Sequence, residues 1–489
     1  MRKNLRSVFP PVSVLQKKAM TIFAALCMCF PAEAQPARDI KPYEVLQFNV
    51  GTTLGQMRSA PVSIGGQRYL LLIYSEEQNV DPFEGSFFFP ENTIKLALYD
   101  FKGVLKWKKE LPNVVPGTWF LPVLPFDLDN NGDDEIFLVN TNDARRPFNY
   151  DGYVMQRLDP ENGNVTGEWP WSQPSHNQAN SYKWRFFIVG GYVNKTPVLL
   201  TIQGTYRDMR LQAWNQDMSS RWKKVYPDDF DGPRGSHTTP IIDTNNDGIE
   251  EVLIGERCVE FDKGDELFIM DNKKWNDHSD VVQPVWNSTD KKWYYWTIRE
   301  KGEDVPRSRA VLFDEKGISV WGVKETIGHF HRGWIANIGP GGQKLAMAAR
   351  YAKNKENAVT FKGKEFERWV YDAFTGKEVK VPFNPLGSPL DFNGDGIHEI
   401  LVNDEIVDNT GKKWGTIGEN ATVITTNKIT SLPGEQILAY YPDGAVKLWA
   451  DKNGLDTPAT KQAFSSRYYQ RNNQMTGVGY MYRFLITCY

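Results

Sequence analysis

Histidine and cysteine are scarce in this chain. Its 489 residues hold six histidines and four cysteines. Two of the cysteines, Cys27 and Cys29, lie in an N-terminal apolar stretch, which leaves Cys258 and Cys488. A disulfide-stapled scaffold is thereby excluded, and at most one bridge is open to an exported chain. Basic charge is not in excess either: the net charge is −3, which argues against a nucleic-acid binder. Beyond the N-terminal stretch no apolar run is long enough to span a bilayer. Helical periodicity is weak throughout, and no Pro/Gly/Ser linker divides the chain.

What is abundant is aromatic: 16 Trp, 21 Tyr and 27 Phe. Such rings suit β-strands and their cores, and also surfaces that stack on pyranose faces. The first 34 residues read as an export signal. Basic residues run to Lys17 and Lys18, the apolar core "AMTIFAALCMCF" follows, and "AEA" before Gln35 meets the small-x-small cleavage rule. The mature protein is therefore expected outside the cytoplasm, periplasmic or secreted.

A repeat organises the rest. A strand, polar turn, strand unit recurs as "ALYDFKGVLKW" (97–107), "QRLDPENGNVTGEW" (156–169), "QAWNQDMSSRW" (212–222) and "FIMDNKKW" (268–275). It continues as "VLFDEKGISVWG" (311–322), "WVYDAFTGKEV" (369–379), "EIVDNTGKKWG" (405–415) and "KLWADKNGL" (447–455). Before each hairpin comes a polar loop that runs into an apolar strand, from "IGGQRYLLLIY" to "LPGEQILAYY". Two hairpins per unit make a four-stranded antiparallel blade, and blades repeated radially make a propeller. The chain is expected to be all-β, one eight-bladed β-propeller over residues 45–489, with seven blades as the alternative.

Three of the eight loops place oxygen ligands at every second residue. They are Asp127, Asp129, Asn131 and Glu135; Asp243, Asn245, Asp247 and Glu251; and Asp391, Asn393, Asp395 and Glu399. The acid falls at position nine. A helical EF-hand needs Glu at position twelve, where Leu138, Ile254 and Val402 stand instead. The pattern predicts Ca²⁺ loops that tie strands together, the alternative being hydrated Asx turns with no ion. Five blades lack the acids, so such metal is a local clip.

These acidic loops in an exported propeller resemble the family-eleven rhamnogalacturonan lyases. "WRFFIVGGYVNKTPVLLTIQGTYRDMRLQAWN" (184–215) is similar to that family's run ending in Gly-Tyr-Tyr and an arginine before a strand. "GSHTTPIIDTNNDGIEEVLIG" resembles its histidine-then-acidic-loop segment, and "DHSD" (277–280) its His-Gly-Asp step with Ser279 in place of glycine. "HRGWIANIGPGG" resembles an Arg-Gly segment, and "RYYQRNNQMTGVGY" (467–480) a Tyr-Asn-rich C-terminal stretch. The likeness covers about residues 180–489. It implies β-elimination on a uronic acid of an acidic, rhamnose-containing polysaccharide. That chemistry needs a cation or arginine on the carboxylate, a base for the C5 proton and an acid for the departing O4.

"GHFHRGW" (328–334) supplies the right groups: His331 as a base, Arg332 as a carboxylate partner, and His329 beside them for substrate. In an extended strand His329 and His331 share a side and Arg332 takes the other. His237 precedes the first strand of the fourth blade, and His278 with Asp280 that of the fifth, so ring symmetry predicts one shared pocket. Tyr206, Arg207 and Arg210 form a basic-aromatic group able to act on or hold uronates. For each of these residues an ordinary structural role is the competing reading. His398, inside an acidic loop, is expected to face solvent. The partner implied is an acidic polysaccharide or oligosaccharide acting on a monomer. A propeller glycoside hydrolase and a non-catalytic, Ca²⁺-stabilised propeller that binds glycan or protein stand as alternatives.

Overall fold

Strand burial follows position along each repeat. Ile94–Tyr99, an inner strand, is buried at all six positions, whereas the outermost strand of the same sheet, Leu105–Leu111, alternates. There Trp107 and Leu111 turn inward while Lys106 and the flanking lysines face outward, the period-two signature of a half-solvated strand. A computed structural model of the chain describes residues 39–77, 92–111, 117–141, 152–174, 180–300, 307–324, 328–352, 359–361 and 363–478. The N-terminal signal reading, His176 and Cys488 lie outside them; Cys258 is a buried free thiol.

Eight four-stranded antiparallel sheets form eight blades. Blades one to seven span residues 56–111, 123–170, 186–226, 241–269, 279–322, 330–372 and 388–416. The eighth is composite. Thr422–Asn427, Gln436–Tyr440 and Ala445–Asp451 come from the end of the chain, and the fourth strand, Pro42–Asn49, from its beginning. The pairing runs from Pro42 opposite Asp451 to Asn49 opposite Ala445. The stretch at 447–455 is thus no hairpin: Asp451 ends a strand whose partner is the N-terminal one. Asp271 also departs from the hairpin reading. It lies in the 3₁₀ turn Met270–Lys273, after the outer strand, while the true turn of blade four is closed by Glu260 N–H on Asp265 O.

Neighbouring blades interlock through outer-strand tryptophans. The Trp107 indole N–H donates to Pro160 O at 2.8 Å, Trp222 to Phe261 O at 2.9 Å and Trp321 to Ala373 O at 2.9 Å. Each ring lies on a turn glycine of the next blade, Gly163, Gly264 and Gly376, where an added Cβ would come within 2.9, 2.8 and 2.7 Å of it. All three glycines have φ near +70°, so the tight turn and the flat ring both select glycine. The apolar core is correspondingly a series of layers between blades, the largest running through blades one to four.

Two short C-terminal helices, Pro458–Phe464 and Arg467–Gln474, were not signalled by helical periodicity. Thr457 and Ser466 cap them through side-chain oxygens. The second helix bonds to blades far apart in sequence. Tyr469 Oη donates to Glu435 and accepts from Lys428 N; Asn472 exchanges two hydrogen bonds with the Ile241 backbone; Thr476, just beyond, donates to Ser59 O. It is a plug across one end of the ring. No described helix is long and apolar enough to cross a membrane.

Trp107→Ala removes both an interblade hydrogen bond and a buried ring. A loss of about 3–5 kcal/mol is expected, read as a lowered denaturant midpoint.

Candidate functional site

Strand order gives the two ends of the ring different content. Loops between the first and second strands of each blade all emerge at one end, where the three oxygen-rich loops and the C-terminal helices meet. Connections into first strands, and between second and third strands, emerge at the other end. His237, His278, Tyr206 and Glu300 sit on those latter connections, and His331 is the second residue of the first strand of blade six, at the same end.

Asp280 is the centre of that mouth. It is buried, and its oxygens lie 3.2 Å from His237 Nδ1, 3.7 Å from His278 Nε2 and 3.2 Å from His331 Nδ1. Glu300, just past Lys292–Arg299, contacts His278 Nε2 closely and lies 3.4 Å from His329 Nδ1. Tyr206 Oη is 2.8 Å from His237 Nε2, and its ring packs edge-on against His278 with centroids 4.4 Å apart. Behind Tyr206 stand Tyr182, 4.7 Å away ring to ring, and the Arg185 guanidinium, 5.0 Å from the ring centroid. Tyr351, an exposed ring on blade six, stacks beside His331 at 4.4 Å.

Two β-bulges aim this cluster. The register of Ser279–Asn287 against its neighbour skips at Asp280, and that of Phe330–Asn337 skips at His331. A bulged residue leaves the alternation of its strand and can point off the sheet. Plain alternation, on which the reading of "GHFHRGW" relied, does not foresee this.

The electrostatics are those of a crowded, dry site. Burial pushes His237 well below the usual imidazole range, and the neighbouring His278 and Arg185 push it further. Burial acts on His278 in the same direction but is outweighed by hydrogen bonds to Asp277 and Glu300, which raise it to about 10. Burial and the Glu300 charge lift Asp280 to about 6. Burial would lift Glu300 too, yet hydrogen bonds from His278 and His329 hold it far below the carboxylate range.

One ligand atom from each of His237, His278, Asp280 and Glu300 falls within 4.8 Å of the others. Asp280 Oδ1 is buried and has no hydrogen bond among the described residues, although it faces two imidazole nitrogens. Two imidazoles and two carboxylates converging on such an orphaned oxygen fit a divalent transition metal better than calcium, and binding one requires His278 to give up the proton it shares with Glu300. The sequence singled out His237, His278 and Asp280 but missed Glu300. A glutamate ending the fifth blade's second strand carries no spacing signal; the pairing of Ser279 with Arg299 sets it opposite His278, and the packing of blade six brings His329 to it.

Three other candidates do not join the cluster. Arg332 turns away: its guanidinium lies over the Phe361 and Phe366 rings and donates to Leu386 O at 3.3 Å, which ties blade six to blade seven. In this placement it packs between blades and lies apart from the histidine cluster. Arg210 is bound to Asp208 at 2.9 Å. Arg207 is exposed on the rim beside Tyr206.

At the opposite end the three acidic loops share one geometry. The leading aspartate accepts backbone N–H groups of its own turn: Asp127 from Asn131 and Gly132, Asp243 from Asp247 and Gly248, Asp391 from Gly394 and Gly396. The closing glutamates, Glu135, Glu251 and Glu399, each accept the N–H next to that aspartate, from Leu128, Thr244 and Phe392. Asp129, Asn245 and Asp247, and Asn393 and Asp395, fill the space between. Burial and then neighbouring carboxylates push Asp391 and Glu399 well above the usual range and Glu251 to about 8. Arg157 lies 3.9 Å from Glu135 and Arg467 3.6 Å from Asp243, but carboxylates gathered so tightly still outnumber these cations and are chemically matched to a hard cation. His398 does not face solvent from its loop: it is fully buried, and its Nδ1 accepts the Asn337 N–H.

Known proteins with this fold include rhamnogalacturonan lyases. The exotype rhamnogalacturonan lyase YesX superposes with a TM-score of 0.71 at 16% identity, over 90% of this chain and 82% of its own. A Bacillus licheniformis rhamnogalacturonan lyase superposes with a TM-score of 0.70 at 16% identity, over 91% and 81%. Rhamnogalacturonan lyase YesW gives 0.68 at 16% identity, over 91% and 81%. No family model matches the chain, and no curated protein matches it. The chain is a divergent structural relative of these enzymes, at the level of the eight-bladed fold.

Chelation with EDTA is expected to lower the melting temperature and added Ca²⁺ to restore it, because cations that bind only the folded loops stabilise by mass action. Asp391→Ala should reduce that calcium-dependent gain. A melting curve indifferent to both treatments would show the loops to be ion-free turns.

Proposed function

We propose that this protein is an exported polysaccharide lyase that cleaves an acidic, uronate-containing glycan of the rhamnogalacturonan class by β-elimination. The observation that carries this reading is the convergence of His237, His278, Asp280 and Glu300 within 4.8 Å, in contact with Tyr206 and His331. The shared fold supports it. The signal read at residues 1–34 supports a periplasmic or secreted location.

A divalent cation held by those four residues would neutralise the substrate's carboxylate and so acidify the C5 proton. The protein's own groups do the rest. Asp280 accepts from His331 Nδ1, and the tautomer it selects has its basic lone pair on Nε2. That lone pair takes the C5 proton; the electron pair forms the C4–C5 double bond and the C4–O4 bond breaks. Tyr206, held by His237, donates its proton to the departing O4. His329 and Arg207 at the rim orient neighbouring uronates, and Tyr351 offers a ring to a sugar face. In the calcium loops at the far end the cations are structural.

The product carries an unsaturated uronate, so ultraviolet absorbance on rhamnogalacturonan reports the reaction directly. His331→Ala and Asp280→Asn are each expected to lower kcat by about 10²–10⁴-fold, the usual weight of a positioned acid or base. Arg332→Lys should leave kcat near wild type. Reducing ends released without the absorbance would instead indicate a hydrolase. Binding with neither would indicate a non-catalytic propeller.

A further inference from the structure

At the plugged end, a cavity of about 1120 Å³ opens between the C-terminal helices and the loops of blades four to seven. It lies at the other end of the ring from the histidines, and nothing in the proposed chemistry uses it. Its volume exceeds that of a pocket for one small molecule, which is about 300–1,000 Å³.

The walls combine two features. One is an aromatic corner. Trp286 and Trp293 face each other across the first hairpin of blade five, with centroids 5.2 Å apart, and Trp293 continues to Tyr468 at 5.1 Å. Both tryptophans are only partly buried, unlike the core Trp296 and Trp334. A half-exposed indole on a concave wall offers a flat apolar face of the size of a pyranose ring. The other feature is cationic. Lys291 sits exposed at the tip of the same hairpin, Lys344 comes from blade six and Arg467 from the terminal helix. Between them Gly341 and Gly342, at φ +65° and +79°, present backbone with open space over Gly341.

The lining carboxylates alter this balance less than their number suggests. Glu250 is already held by Arg467 Nε at 2.5 Å and Arg471 Nε at 3.4 Å. Asp243 and Asp395 belong to the second and third oxygen-rich loops, where a bound cation would take up their charge, and Asp243 also lies 3.6 Å from the Arg467 guanidinium. With those loops filled, the cavity is an aromatic shelf edged with positive charge.

We propose that this cavity is a second, non-catalytic glycan site that takes a stretch of the same acidic polysaccharide, with uronate carboxylates on Lys291 and on Lys344, whose ammonium also donates to Asn337 Oδ1 at 2.6 Å, and sugar faces on Trp286 and Trp293. The identity of that polymer rests on the lyase reading; the site itself does not. A long chain held at one end of the ring raises its local concentration at the other, as any second binding module does.

The test uses rhamnogalacturonan oligosaccharides in Ca²⁺-containing buffer, with isothermal titration and tryptophan fluorescence. The wild type should show two classes of site. A double variant of the mouth, Asp280→Asn with His331→Ala, should keep one class that quenches tryptophan fluorescence. Adding Trp286→Ala and Lys291→Ala to it should weaken that class by roughly tenfold or more. Trp286→Ala with Lys291→Ala alone should leave turnover of short oligosaccharides unchanged and raise KM on the long polymer. No residual binding in the mouth variant, binding indifferent to Trp286 and Lys291, or equal binding of a neutral glycan would each overturn the proposal. Residual binding in the mouth variant, with no unsaturated product formed by the wild type, would sink the lyase reading and leave this site standing. Product formed by the wild type with no residual site in the mouth variant would do the reverse.

Discussion

Everything in this molecule depends on the pairing of its two ends. Pro42–Asn49 completes the blade begun by Thr422–Asn427, and Lys41 N–H adds a hydrogen bond to Asp451 at 2.7 Å. Without that strand the eighth sheet would be left three-stranded, and blade eight would meet blade one through contacts such as Tyr440 Oη on Gly55 O at 3.0 Å and the apolar layer between them. A ring closed by both chain ends leaves only short, protected blade edges. Closure also fixes the angle between neighbouring blades, and that angle is what brings Tyr206 of blade three, His237 of blade four, Asp280 and Glu300 of blade five and His331 of blade six into one mouth. None of these contacts is local. Tyr206 and His237 are 31 positions apart, and Asp280 and His331 are 51. The site is a property of the ring.

The ring uses the same donor chemistry in opposite ways at its two ends. At the plugged end, carboxylates and amide oxygens are drawn from a single short loop and largely accept that loop's own backbone N–H groups, although Glu251 Oε1 is buried without a hydrogen bond among the described residues. A cation there can stiffen the turn and hardly reach anything else. At the mouth, the ligands come from separate connections and include imidazoles, and one oxygen of Asp280 is left without a hydrogen bond among the described residues. Such a site is preorganised by packing rather than by sequence neighbours. It keeps ligand capacity directed at the opening, which is where a substrate carboxylate would have to arrive. The C-terminal helices reinforce the division. By bonding to Glu435, Ile241 and Ser59 they seal the far end of the axis and leave the histidine mouth as the approach to the ring centre.

Much of this was legible beforehand, and the parts that were not have physical reasons. The eight loop-then-strand signals all fall between first and second strands, because turn chemistry and apolar runs are local properties. Two hairpin assignments failed where local chemistry is ambiguous, and the one at Asp372 meets only an isolated bridge, Tyr371 with Glu378, because the fourth strand of blade six is Val359–Phe361, which precedes its neighbour in sequence. Asp271 has the turn residues of a hairpin but serves a left-handed turn after the outer strand, and Asp451 ends a strand whose partner lies some 400 residues away. The helices at 458–474 escaped notice since they are short and owe their stability to the ring they plug, not to their own periodicity. Within the site, histidine is rare enough for His237, His278 and His331 to stand out. Glutamate is common, so Glu300 did not. Arg332 was attractive by residue type, but which way a side chain leaves a strand depends on bulges, and the bulge lies at His331.

Those bulges also explain why the mouth can be so crowded with charge and still fold. Asp280 and His331 are the residues that break register in their strands, so neither has to fit the pleat of an inner strand, where buried polar groups are costly. Each carboxylate of the cluster is met by at least one imidazole, and the cation excess of Arg185 is spread over the Phe120 and Tyr206 rings. Ion pairs of this kind contribute little net stability once desolvation is counted. Their retention on the inner rim is therefore better explained by what they hold than by what they stabilise. The apolar layers and the interblade tryptophans carry the fold, and that leaves the mouth at liberty to be built for a ligand.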